Sequence, residues 1–283
     1  MSLPFHTPHD ELIARLVPFV VAPPFNRLAL DLAPFGLPIV DEHVIDPLKL
    51  SSEQFLTLLQ RLDGLTFGPE GMPMPRWVFY DCAELPAAIF GFALRAADTD
   101  PRLAAQYPVP KGYAGLVPVS MWAGLPMFRP GHWFGHNLSS LAPVADRVAP
   151  GMSLKGLGSV TKALGMKALR VRRLYGATQW ASAALFIHSK FGPLELVTAY
   201  TPAHSEAETL TYAFDATDES LRATLGDPKA RLARPEPSEW IDAHDTATLM
   251  RLQDRIEAGE RLCIPTAPRR DGERPFVPVA PLP

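Results

Sequence analysis

The chain has 283 residues, 47% of them hydrophobic and 20% charged, with a formal net charge of −3. That is ample for a buried core in one large or two small domains, and it leaves no basic field over the whole chain, so nucleic acid is excluded as a general partner. Two distant cysteines, Cys82 and Cys263, stand in no metal-binding spacing and fit a reducing, cytoplasmic setting.

Along the chain, proline punctuates both ends: Pro18, Pro23, Pro24, Pro34 and Pro38, then Pro265, Pro268, Pro275, Pro278, Pro281 and Pro283. Proline fixes φ and removes a donor, so both ends read as extended or irregular. The apolar run 16–22 is too short and too proline-rich for a transmembrane segment, and Asp10 and Glu11 before it argue against a signal peptide. Residues 43–45 read as a short strand. Ser51-Ser52-Glu53-Gln54 resembles a capping box, and Phe55, Leu58, Leu59 and Leu62 follow at helical spacing, with Gly64 as the expected stop. Residues 77–80 and 88–94 are β-prone and read as a loose hairpin. Residues 98–113 read as a loop or short helix, and 116–122 and 133–141 as strands.

A helix is expected over 153–167, then a strand to Thr178, a short helix over 184–191 stopped by Gly192-Pro193, a strand pair at 194–201 and 210–214, and a last amphipathic helix over 238–259. The expected domains are a proline-rich arm (1–40), a central domain (41–226), and a C-terminal helix with a proline-rich tail (227–283).

The most informative stretch is Lys155-Gly156-Leu157-Gly158-Ser159. Two glycines one residue apart open a lysine-bearing helix, and free N–H groups at a positive helix end suit phosphate. Lys155, Lys162, Lys167, Arg170, Arg172 and Arg173 form a local basic cluster, read either as a solvated face or as a collar for an anion. Nucleotide fingerprints fail here. Leu157 stands where a P-loop needs Lys, and the third glycine of a dinucleotide turn is missing. His132 and His136 have zinc-helix spacing, but Gly131, Gly135 and the aromatics between them favour a strand. There, i and i+4 lie roughly 13 Å apart, so no metal site is expected. No Gly-x-Ser-x-Gly supports a nucleophile elbow.

The order of these elements resembles the GNAT superfamily of acyl-CoA-dependent N-acyltransferases over about residues 40–215. Residues 44–55 resemble the family's opening strand and first helix, and residues 84–94, with Gly91-Phe92, its second hairpin. Residues 138–143 resemble the end of its fourth strand. Ser153-Leu154-Lys155-Gly156-Leu157-Gly158 is similar to its pyrophosphate motif Gln/Arg-x-x-Gly-x-Gly/Ala, with Ser153 in place of Gln or Arg. Residues 184–192 are similar to its Ala-Leu-x-Leu-Tyr-x-Lys-x-Gly helix, with His188 in place of the tyrosine and Pro193 in place of the following phenylalanine.

The resemblance implies an α/β fold with a mixed, mostly antiparallel twisted sheet flanked by helices. It implies acyl transfer from acetyl-CoA or another acyl-CoA, as co-substrate and without a metal, to a small amine acceptor. A homodimer is compatible with it. In that reading Lys155, Gly156, Leu157, Gly158 and Ser159 hold the pyrophosphate. Leu141 and Ala142 hold the pantetheine arm and polarise the thioester carbonyl. His136 is the candidate general base and His188 the candidate general acid. Trp133, Gln179 and Trp180 are the candidates for substrate contact. Two other readings stand beside it: a non-catalytic carrier whose aromatic strands line an apolar pocket, and a degenerate transferase fold kept as an interaction module.

Overall fold

The structure, a computed structural model, describes residues 7–23, 41–69, 73–84, 89–149, 151–201 and 208–282. It divides into two compact units, the first comprising Met1–Phe128, His136–Val171 and Leu225–Asp227, the second Arg129–Gly135, Arg172–Thr224 and Pro228–Pro283. Most of the proline-rich N-terminal arm, the tip of the 194–214 strand pair and residues 85–88 of the expected second hairpin lie outside the described residues.

The first unit runs α1 (Asp10–Arg15), β1 (Val17–Val21), β2 (Val44–Ile45), α2 (Glu53–Phe67), α3 (Arg76–Glu84), β3 (Ile89–Arg95), α4 (Pro101–Gln106), β4 (Leu116–Pro126), the second half of β5 (His132–Ser140), α5 (Ala142–Val148) and α6 (Leu157–Ala168). Its strands lie in the order β5-β4-β3-β1-β2. β1–β3 and β3–β4 are antiparallel and β1–β2 is parallel.

Helix α2 buries Phe55, Leu58, Leu59 and Leu62, the stripe expected from their spacing. Each such side chain contributes about 1.5–3 kcal/mol of transfer free energy. Phe55 meets Phe19 of β1 edge-to-face, with centroids 4.9 Å apart. Helix α6 covers the opposite face, where Ser120 of β4 shares a 2.6 Å hydrogen bond with Thr161. At Gly165 the helix comes so close that a Cβ would lie 2.8 Å from the Trp122 ring.

The second unit holds the first residues of β5, then β6 (Arg173–Gln179), α7 (Ala184–His188), β7 (Leu194–Thr198), β8 (Thr209–Asp215), α8 (Asp218–Thr224), β9 (Glu239–Asp242), α9 (Thr246–Glu257), β10 (Leu262–Ile264), β11 (Arg269–Asp271) and β12 (Arg274–Pro281). Residues 132–135 of β5 run parallel to β6. The pairs β6–β8, β7–β8, β7–β10, β10–β12, β11–β12 and β9–β12 are all antiparallel. The fold class is therefore the expected one: mixed α/β, mostly antiparallel, flanked by helices.

Three local expectations are corrected. Residues 77–80 are helical, not a strand. Phe79, Cys82 and Ala83 are buried at helical spacing while Trp77 is 69% exposed, so the β-prone run lies on α3. Helix α2 does not stop at Gly64 but runs to Phe67, and its Ser52 N-cap makes no side-chain capping bond. The expected helix over 238–259 is a strand followed by a shorter helix. Residues 239–242 pair with β12, and Asp245 restarts the chain as α9 by accepting the Thr248 N–H. The C-terminal proline-rich segment is extended, as β12, whose prolines supply ladder carbonyls: the Ala243 N–H donates to Pro275 O. Among the described residues no helix is long and apolar enough to cross a membrane.

Candidate active site

The candidate site of the first unit grows from the alternation of β5. Asn137 and Ser139 point to one side and are buried. His136, out of phase with them, stays exposed. On the buried side stands Asp63 of α2, 1% exposed. Its Oδ2 accepts the Met74 N–H at 2.6 Å, and its Oδ1 accepts the Asn137 side-chain amide and, at 3.4 Å, the Ser139 hydroxyl.

Burial pushes the Asp63 carboxyl pKa up, against the three hydrogen bonds and the nearby His136, which pull it down. His136 is affected in the opposite sense: desolvation lowers its pKa, and the Asp63 charge opposes this. The residue is exposed, and the partial burial of its ring supplies the desolvation. The ring is therefore neutral at neutral pH and able to accept a proton. Asn137 Oδ1 is buried and accepts no hydrogen bond.

Asp63, Asn137 and Ser139 were not legible as site residues. One signal was present: Asp63 lies on the apolar stripe of α2, four residues after Leu59, where a carboxylate needs partners to be buried.

The glycine turn belongs to the same unit. Gly156 is the N-cap of α6 in the left-handed region, at φ 85°, which favours glycine. Lys155 is exposed and Gly156 half-buried, whereas Leu157, Gly158 and Ser159 are buried. The cover is α1: a Cβ at Gly156 would collide with the His9 imidazole, and Arg15 donates to the Ser153 carbonyl at 3.1 Å.

Of the basic cluster, read either as a solvated face or as a collar for an anion, Lys162 is 1% exposed, and Arg173 in the second unit pairs with Glu195 and Asp215. Leu141 and Ala142 open α5 rather than end a free strand. The Leu141 N–H donates to Val119 O and the Ala142 N–H to Ser140 Oγ, so neither is left for a thioester carbonyl.

The remaining sequence candidates belong to the second unit. His188 is 8% exposed and packs on the Tyr212 ring, centroids 5.0 Å apart. Burial raises the Tyr212 phenol far above its ordinary pKa. Trp180 is fully buried, and its indole N–H donates to Ala199 O at 2.7 Å. Trp133 and Gln179 are half-buried on β5 and β6. His132 stacks on Tyr175, centroids 5.9 Å apart, on the strand expected for it. Among the described residues no three His, Cys, Asp or Glu side chains gather as a metal site.

No protein-family model matches the chain, and no curated protein matches it in sequence. Among solved structures it is similar to the ribosomal-protein-S18-alanine N-acetyltransferase from Escherichia coli, at 13% identity and a TM-score of 0.37, over 60% of this chain and 91% of that one. It is also similar to a chain of the NatC complex bound to Gag peptide and CoA, at 12% identity and a TM-score of 0.39, over 61% of this chain and 97% of that one. Likeness at these identities and scores assigns neither a family nor an activity to the chain.

Proposed function

We propose that the chain transfers an acyl group from an acyl-coenzyme A, acetyl-CoA being the simplest, to an amine-bearing acceptor. The observation that carries this reading is His136, exposed on β5 next to Asn137, whose amide is bonded to the buried Asp63 carboxyl. An amine is protonated in water and cannot attack until a base removes its proton. His136 takes that proton, and the electrostatic pull of Asp63 favours the imidazolium formed. The amine nitrogen then bonds to the thioester carbon, the C–S bond breaks, and the coenzyme A thiolate leaves and takes up a proton.

Lys155 and the Gly156 turn are the groups that meet the pyrophosphate at the N-terminus of α6. The reading assigns no step to Leu141, Ala142, His188, Trp133, Gln179 or Trp180.

A second reading, a transferase fold used as a binding module, is favoured by one observation: His9, the N-cap of α1, lies against Gly156, and Arg15 of α1 holds the nearby Ser153 carbonyl. Thermal unfolding with acetyl-CoA and longer acyl thioesters separates the two, because a ligand bound only by the native state raises the melting temperature. The transferase reading expects a rise in the wild type that shrinks in Lys155→Glu, an exposed position. No rise at millimolar thioester overturns it.

A further inference from the structure

Strand β4 ends at Pro126 and β5 begins at His132, and the chain between them leaves the sheet with three exposed apolar residues in a row. Pro126 and Met127 are exposed, and Phe128 is fully so. A single exposed apolar side chain is ordinary, but three in succession on a folded surface mark a contact.

The turn is stiff. Pro126 and Pro130 fix φ on either side of the tip, Gly131 lies in the left-handed region at φ 80°, and the His132 N–H donates to Arg129 O at 3.0 Å. Little conformational entropy is therefore lost when the tip enters another phase.

Cations follow the tip. Arg129 comes directly after Phe128 and is exposed. Arg172 is exposed too: its N–H donates to Gly131 O at 2.8 Å, and its side-chain carbons lie against the Gly131 backbone, where a Cβ would come within 2.9 Å of them. Neither guanidinium is bonded to a carboxylate among the described residues. Of the acids at 215–219, Asp215 pairs with Arg173, Glu219 accepts the Arg231 N–H, and Asp218 has its own interaction. Along the chain no Asp or Glu occurs between Asp100 and Asp146.

A stiff, convex tip offers a protein partner little area, whereas a bilayer yields to it. Apolar side chains can enter the acyl boundary while the backbone of the turn stays among hydrated headgroups, where its polar groups keep partners. Guanidinium groups at headgroup level are attracted by anionic lipid, each worth about fivefold in affinity.

We propose that the turn between β4 and β5 anchors the protein on anionic lipid surfaces, with Phe128 and Met127 entering the bilayer and Arg129 and Arg172 meeting the headgroup anions. The anchor is independent of the acyl-transfer reading.

The test is co-sedimentation of the full chain with vesicles of phosphatidylcholine alone, or of phosphatidylcholine with about one-third phosphatidylserine. The wild type should bind the mixed vesicles at millimolar lipid, at least about fivefold more than the neutral ones, and lose that advantage in about 0.5 M salt. Phe128→Ser should weaken binding about tenfold or more, and Arg129→Gln about fivefold. Both positions are exposed, so both variants are expected to fold, with melting temperatures recorded on the same preparations. Trp77→Ser, at an exposed aromatic residue of α3, should bind as the wild type does.

No binding of the wild type to the mixed vesicles overturns the proposal. So does unchanged binding in Phe128→Ser, or an equal loss in Trp77→Ser, which would reduce the effect to general stickiness. Equal binding to both vesicle types overturns the anionic assignment. Self-association that Phe128→Ser abolishes, without vesicle binding, would give the tip to a second copy of the chain instead.

Discussion

His136 and His188 carry the same side chain in opposite settings, one in each unit. His136 is exposed on a strand, partly desolvated, and within electrostatic reach of the buried Asp63. His188 is buried at the end of a short helix, its ring against Tyr212 and its neighbour Leu185 in the core. A proton-transfer group must reach both a substrate and solvent, whereas a packing group needs only neighbours. In the sequence, His188 stood out by its place in a family-like helix motif and His136 by its place on a strand. Surroundings separate the two, and substitution measures the separation.

The largest effect is expected at His136. His136→Ala should lower acyl transfer by about a hundredfold to ten-thousandfold, the usual range for a general base. Because the ring is exposed, its stability should change by no more than about 0.5 kcal/mol. The measurement is coenzyme A thiol release from an acyl thioester in the presence of an amine acceptor, alongside the melting temperature of the same preparation. The deficit should shrink at high pH, where the acceptor amine deprotonates unaided. In the wild type, activity should fall with acid through a pKa below the ordinary histidine value of 6.5. Full activity in a stable variant breaks the comparison, because the two histidines would then differ in packing alone.

Next in size is the group behind His136. Asp63→Ala removes the acceptor of three hydrogen bonds and leaves the Met74 N–H and the Asn137 amide without it. Unpairing buried donors of this kind should cost about 2–4 kcal/mol, read from urea unfolding. Its pH signature has a definite sign. The folded-state pKa of Asp63 lies above the unfolded value of 3.8, so between the two the native state holds more protons. Stability from this group therefore falls as pH rises through that window, and Asp63→Asn should remove the slope while keeping most of the shape.

The opposite balance is expected at His188. Deleting a buried ring that packs on Tyr212 should cost about 2–3 kcal/mol, toward the lower end of large-to-small core substitutions. Turnover per folded molecule should be unchanged in His188→Ala. A stable variant with depressed turnover would instead restore His188 as a proton donor and erase the contrast with His136.

How much of this the sequence could carry follows from how local each signal is. The stripe Phe55–Leu62, the strand pair expected over 116–122 and 133–141, and the stop at Gly192 are all set by neighbours within one or two turns, and they appear in place, the first strand running four residues further, to Pro126. The run Trp77–Tyr80 misled because β-propensity mostly reflects packing on a sheet, and here Phe79, Cys82 and Ala83 pack as a helical face. Trp240 and Ile241 misled for the converse reason. Their partner is β12, at the far end of the chain, and no window around them contains it. The glycine turn was legible as a turn, but its cover by His9, some 150 positions earlier, was not. The Asp63 cluster joins α2 to β5 across more than seventy residues, and only the misplaced charge on the α2 stripe hinted at it.

The smallest expected effect tests whether burial, rather than membership of one unit or the other, separates core titratable groups from reactive ones. Lys162 of α6 shares a unit with His136 but is as enclosed as His188, and burial lowers its pKa to about 7 from 10.5. The folded pKa lies below the unfolded one, so between about pH 7 and 10.5 the unfolded chain holds the extra proton. The unfolded state then binds more protons than the native state, and stability must rise with pH across that window, at a slope of up to about 1.4 kcal/mol per unit. Near its lower end, from pH 7 to 8, the native lysine is still partly protonated, and the gain expected from this group is about 1 kcal/mol. Lys162→Met keeps the length of the side chain and removes the titration, so urea unfolding at the two pH values should show that increment in the wild type and lose it in the variant. Acyl transfer should keep its pH profile in Lys162→Met, since the profile belongs to His136. If the stability increment survives the substitution, the buried ammonium is not its source; if the activity profile shifts with it, Lys162 takes part in the chemistry, and burial no longer distinguishes packing groups from reactive ones in this protein.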